Sequence, residues 1–193
     1  KASFICAYSC KKALFKRIRV KQIELKHPVL NISKAFLTEI RNSTFSNANG
    51  TIIFALNTLT FSLQKSLFFS CRSKSPGTIY IKVNLKSNPT QNSNSSGTAK
   101  IGKKATTVYF SIKSCEFHGG KSILGSSLFI AVTSVEIANL RHISSYVYIA
   151  NTTFKLNYAQ LYGGALALLG VERIIIMSCN FILNNADLSG GAI

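Results

Sequence analysis

Six carboxylates, three imidazoles and five thiols are the groups in this 193-residue chain that could do acid–base, metal or nucleophilic chemistry. Cleaving a glycosidic bond with carboxylates needs two of them converging on one linkage. Here the single Asp187 and the glutamates Glu24, Glu39, Glu116, Glu136 and Glu172 are scattered along the sequence. A calcium-assisted lyase would need several acidic oxygens around one ion, and no stretch supplies them. His27, His118 and His142 are isolated and there is no Cys-x-x-Cys, so neither a metal nor another cofactor is expected. The one catalytic chemistry left open is a metal-free lyase that pairs Lys or Arg with Tyr, all of which are plentiful. The sequence therefore points away from an enzyme. Cys6 and Cys10 either pair with each other or do nothing, whereas Cys115 and Cys179 read as small buried apolar residues.

Binding is better supplied than catalysis. Lys and Arg number 23 against 6 Asp and Glu, a formal net charge of +17. Such a field favours polyanions and anionic surfaces. Residues 1–27 are the most basic stretch, and Lys11, Lys12, Lys16, Arg17 and Arg19, with Lys103 and Lys104 further on, are the candidate contacts. Partners suited to them are an anionic glycan, a membrane surface or a host protein. No nucleic-acid-binding module is present. The plainer reading is a soluble basic surface around an apolar solenoid.

What must position these residues is a repeat. Phe154 and Phe181 are 27 residues apart, and so are Gly163 and Gly190. A fixed period of this size marks a stacked architecture. With Phe45, Phe68, Phe117, Phe154 and Phe181 as anchors, the residue five before is Ile40, Leu63, Ile112, Ile149 or Ile176. Two before stands Ser43, Ser66, Cys115, Thr152 or Cys179, each small. Downstream come Asn49-Gly50-Thr51-Ile52, Pro76-Gly77-Thr78-Ile79, Gly125-Ser126-Ser127-Leu128, Gly163-Gly164-Ala165-Leu166 and Gly190-Gly191-Ala192-Ile193. Each unit reads as two short strands. One precedes the Phe, as in Phe61-Ser62-Leu63, and one follows the glycine, as in Ile79-Tyr80-Ile81. Stacking such units ~4.8 Å apart pairs every strand and turns each column into an internal ladder. The fold expected is an all-β, right-handed parallel β-helix of about five to seven rungs. The small residues suit a tight inward corner, and glycine supplies the sharp turns.

Phe154-Lys155-Leu156-Asn157 with Gly163-Gly164-Ala165-Leu166, and Phe181-Ile182-Leu183-Asn184 with Gly190-Gly191-Ala192-Ile193, resemble the repeats of chlamydial polymorphic outer membrane proteins. The wider likeness is to pectin-lyase-like β-helices. The resemblance implies a β-helical passenger displayed at a cell surface, on an outer membrane if the source is bacterial, or secreted, and used in adhesion. It covers the last fifty or so residues well and is degenerate over 36–132, where Ala48, Cys71 and Gly120 replace the Asn.

Residues 1–27 are expected to form a basic N-terminal cap, with Lys11–Arg19 suited to a short cationic helix over the open end of the solenoid. Residues 28–193 are the repeats. A polar insertion at about 86–106 reads as a loop, and 133–146 suits either a short rung or a loop. Asn31, Asn42, Asn49, Asn94 and Asn151 head glycan-acceptor triplets. The chain stops inside a motif at Ile193, so further rungs are expected beyond it. Two functions follow: a non-enzymatic surface or secreted scaffold that presents loops to a partner, or a carbohydrate-binding or polysaccharide-cleaving β-helix.

Overall fold

In the computed structural model, residues 5–24, 27–74, 76–85, 106–134 and 143–193 are described. The insertion at 86–105, with Asn94, Lys103 and Lys104, lies outside them, as does 135–142 with Glu136 and His142. Among the described residues every regular element is a strand, and the strands lie in parallel sheets.

The path repeats. Ile5–Tyr8, Leu30–Ser33, Ile53–Leu56, Ile79–Leu85, Leu128–Ser134 and Leu166–Leu169 form the first sheet. Lys12–Lys16, Leu37–Arg41, Thr60–Gln64, Thr106–Lys113, Ile143–Ala150 and Arg173–Met177 form the second. Arg19–Glu24, Thr44–Asn49, Leu67–Phe69, Glu116–His118, Thr153–Lys155 and Asn180–Ile182 form the third. A short fourth sheet joins Lys121–Leu124, Tyr158–Tyr162 and Asn185–Ala186. Each circuit visits the three large sheets in the same order, so every strand pairs with its equivalent one circuit away. Three strands per circuit replace the two expected: the anchor Phe lies within a strand of its own. That strand has only three residues in most circuits, too short to show alternation in sequence.

Period-two alternation decides what is buried. Ile53, Ala55, Ile79, Ile81 and Val83 point inward on the first sheet, and Phe61, Leu63, Phe110 and Ile112 on the second. On the third, Phe45, Phe68, Phe117 and Phe154 are at most 2% exposed. Their rings stack with that of Phe181 at centroid separations of 4.9, 4.9, 5.0 and 4.9 Å. The strand spacing imposes that distance, and each buried ring contributes about 1.5–3 kcal/mol.

Two expectations from sequence are corrected here. No helix forms over Lys11–Arg19: Lys12–Lys16 is a strand paired with Leu37–Arg41. Ala13 is buried and Phe15 packs against the core while Lys12, Leu14 and Lys16 face out, a period of two that suits a strand and no helical stripe. Residues 5–24 thus supply a strand to each large sheet rather than a separate cap. Ile52 does not share the column of Ile79 either; Ile53 does, and Ile52 is buried one position earlier in the turn.

The corners explain the small-residue column. Ser43, Ser66, Cys115, Thr152 and Cys179 each donate to the backbone carbonyl two residues earlier. The residue before each one, Asn42, Lys65, Ser114, Asn151 or Ser178, has a left-handed φ between 47° and 52°. That conformation costs a non-glycine residue about 1 kcal/mol or more. Inter-circuit bonds such as Lys65 N to Lys113 O and Ser114 N to Ala150 O, both 3.0 Å, hold it in place.

Candidate functional site

The repeat residues form a ladder that supports the faces. Asn157 is 1% exposed and works between circuits. Its Oδ1 accepts from Gly120 N at 3.0 Å, while its Nδ2 donates to Phe117 O at 3.1 Å and to Asn184 Oδ1 at 2.9 Å. Asn184 Nδ2 donates to Phe154 O at 2.9 Å in the same way. Where the Asn is missing, Cys71 Sγ donates to Phe45 O at 3.5 Å, so the column keeps its bond with a weaker donor. The Gly-Gly pair divides two tasks. Gly163 has φ +62°, and a Cβ on Gly164 would lie 2.0 Å from Gly191 O in the next circuit. Ala165 is buried beneath them; in the last circuit Gly190 repeats the left-handed φ at +66°, while a Cβ on Gly191 would meet only Asn184 O at 3.5 Å and Ala192 is half-buried.

Of the basic candidates among the described residues, Lys12 and Lys16 lie on the second sheet, Lys11 and Arg17 flank that strand and Arg19 lies on the third sheet. Lys11, Lys12, Lys16, Arg17 and Arg19 are all exposed. Lys16 is in register with Arg41, then Gln64, then Lys113, along the outer face of the second sheet. Lys12 and Arg173 lie at the other edge of that face, the two ends of a column that includes Tyr109 and Tyr146. Lys113 Nζ is 4.8 Å from the Tyr148 ring centroid, and the Arg173 guanidinium is 5.3 Å from that of Tyr146. The acid among these outward positions is Glu39, which forms an ion pair with Arg41. Exposed Lys11, Arg17, Lys34 and Lys65 flank the sheet at its corners. Alongside runs a depression of about 600 Å³ lined by Asn42, Lys65, Ser114 and Asn151.

Sequence reasoning missed Arg41, Tyr109, Lys113, Tyr146, Tyr148 and Arg173. A signal existed: counting back eight residues from the anchors gives Leu37, Thr60, Tyr109, Tyr146 and Arg173, and counting back four gives Arg41, Gln64, Lys113, Ala150 and Met177. These columns vary in type, so a search for repeated residues passes over them.

A second concavity of about 880 Å³ opens on the first sheet, with Asn31, Phe54 and Tyr80 on its floor and Glu24, His27 and Lys74 on its walls. Phe54, Tyr80 and Phe129 make an edge-to-face ladder with centroids 5.3 Å apart. Burial pushes the Tyr80 phenol above its ordinary value.

No protein-family model, curated protein or solved structure matches the chain. The assignment of function rests on the residues.

Among the described residues, Glu39, Glu116 and Asp187 lie on or beside separate elements. Glu39 serves Arg41, Asp187 accepts from the Tyr158 hydroxyl, and Glu116 lies on the third sheet. No group of three or more His, Cys, Asp or Glu that could hold a metal occurs among the described residues. The five cysteines are free thiols. No helix among the described residues is long and apolar enough to cross a membrane.

Proposed function

We propose that this chain is a right-handed parallel β-helix of five to seven rungs that works outside the cell or on its surface. It acts as a non-enzymatic adhesion scaffold that presents a basic face to an anionic partner. The observation that carries this reading is the second sheet, where Lys12, Lys16, Arg41, Lys113 and Arg173 share one outer face with a single acid, Glu39. The likeness of the Phe-x-x-Asn and Gly-Gly-Ala motifs to polymorphic outer membrane protein repeats supports it. So do the exposed asparagines of the acceptor triplets at Asn31, Asn42, Asn49 and Asn151.

The groove on the first sheet favours a second reading, a metal-free polysaccharide lyase, because Tyr80 and Lys74 line it together. Its chemistry is weaker. A tyrosine base needs a lowered pKa to be ionised near neutral pH, and burial moves Tyr80 the other way. The experiment that separates them incubates the purified chain with cultured cells, immobilised extracellular matrix and soluble polysaccharides. Saturable, salt-sensitive retention with no sugar released supports the scaffold. Unsaturated or reducing sugar ends that vanish in Tyr80→Phe establish the lyase instead.

A further inference from the structure

The outer face of the second sheet carries more than charge. Tyr109 and Tyr146 are register partners on adjacent strands, and Arg173 follows Tyr146 in the same column. Tyr148 stands two residues beyond Tyr146 on the same side of the strand, with the Lys113 ammonium over its ring. Two tyrosines thus lie side by side on adjacent strands, with Arg173 beyond them and Lys113 beside Tyr148, so aromatic rings and cations share this face. Lys16 and Arg41 are brought opposite each other as direct register partners, where like charges repel. Glu39 offsets one of them. A linear polyanion laid along the stack would relieve that repulsion and go on to meet Lys113, since the cations are spread along the stacking direction rather than clustered at a point.

From this juxtaposition we infer that the second sheet is a binding track for an acidic polysaccharide. It runs across the strands from Lys12 and Lys16 to Arg173. The ammonium and guanidinium groups meet sulfate or carboxylate groups, and the faces of Tyr109, Tyr146 and Tyr148 receive the apolar faces of sugar rings. The tyrosines select this ligand over two other polyanions. A lipid surface calls for a continuous set of protruding aliphatic side chains; on this face Leu14 stands at one end of the stack and Ile175 and Met177 at the other, while Tyr146 and Tyr148 are half-buried. Duplex nucleic acid presents phosphates with its bases enclosed, and it offers these rings nothing to stack on. The track rests on the scaffold reading above and names its partner.

The test measures binding of the whole chain to heparin and to polygalacturonate, with neutral dextran, phosphatidylserine vesicles and duplex DNA as comparisons. Heparin or polygalacturonate should bind, dextran should not, and raising the salt should weaken the complex. Tyr109→Ser with Tyr146→Ser and Tyr148→Ser should reduce heparin affinity at least tenfold and leave the salt dependence nearly unchanged. Lys12→Gln with Lys16→Gln and Lys113→Gln should reduce affinity and flatten the salt dependence. Lys21→Gln with Lys155→Gln, which removes two charges from the third sheet, should change affinity less than twofold. Tyr146→Phe keeps the ring and should bind as the parent does, which covers the case in which the triple variant does not fold. Equal losses from the third-sheet control, or no loss on removing the tyrosine rings, overturn the track. So does binding to vesicles or DNA as tight as to heparin. A chain that still adheres to cells while the second-sheet variants bind heparin normally leaves the scaffold standing without the track; a chain that adheres to nothing removes both.

Discussion

The circuits before and after residue 135 build the same columns from different residues. In the last two circuits the column three after the anchor is Asn157 and Asn184; earlier it is Ala48, Cys71 and Gly120. Asn157 makes three side-chain bonds across circuits, Cys71 makes one weak side-chain bond across circuits, and Gly120, without a side chain, donates its backbone N–H to Asn157. Likewise Gly164 approaches the next circuit too closely for any Cβ, whereas Ser126 in the same column carries a hydroxyl that donates to Gly164 O at 2.7 Å. The Phe ladder runs through both regions with almost constant spacing. Ring burial and corner geometry therefore hold the fold, and the Asn and Gly-Gly motifs refine it where they occur.

If that is right, truncating an interior anchor should cost the most, and should cost the same in either region. Phe117→Ala and Phe154→Ala should each lose about 4 kcal/mol, the sum of lost burial and the cavity left behind. Phe181, at the end of the ring stack and only partly buried, should lose clearly less. Chemical denaturation of the three variants measures this. Unequal losses for Phe117 and Phe154 would show that the two regions differ in more than motif.

Next in size, the motif residues should separate the regions. Gly164→Ala should cost about 3 kcal/mol, because the new Cβ meets a backbone carbonyl that cannot move without shifting a strand. Ser126→Ala should cost about 1 kcal/mol, the worth of one hydrogen bond. Asn157→Ala should cost about 2–3 kcal/mol, since Gly120 N–H and Phe117 C=O are left buried without their partner. Cys71→Ala should lose less than half of that. A Cys71→Ala loss equal to that of Asn157→Ala would put the weight on the column rather than on the donor.

How much of this was legible follows from what each column needs. The inward Phe, aliphatic and small-residue columns recur because the interior accepts few residue types, so their offsets could be read from sequence. The left-handed corner could not. Asn42, Lys65, Ser114, Asn151 and Ser178 share a conformation without sharing chemistry, because the bonds between circuits enforce it. The basic face was visible only as net charge and as the run of cations near the start of the chain. Its direction came from register, since Lys16, Arg41 and Lys113 meet only when the circuits stack. The expected helix at Lys11–Arg19 reflected a local run of cations. A paired neighbour strand overrode it.

The smallest effect sets the thiols against each other. Burial pushes the Cys71 and Cys115 thiols from an ordinary 9.0 up to about 11, with backbone hydrogen bonds pulling partly the other way. Each fold environment thus favours the neutral, protonated thiol. Its contribution to stability is fully present below pH 9 and is lost as pH rises through about 11. Near pH 10 the loss should be about 1 kcal/mol per thiol, because one unit of separation has then been spanned. Alkaline denaturation should therefore weaken between pH 9 and 11 in Cys71→Ala and Cys115→Ala relative to the parent, once each variant's loss at neutral pH is subtracted. A thiol reagent near pH 8 provides the companion measurement: exposed Cys6 should react quickly, and Cys71 and Cys115 only on unfolding. Prompt reaction at Cys115 alone would mean that the circuits around it open more easily than the stacked rings imply, and would locate the weaker half of the stack.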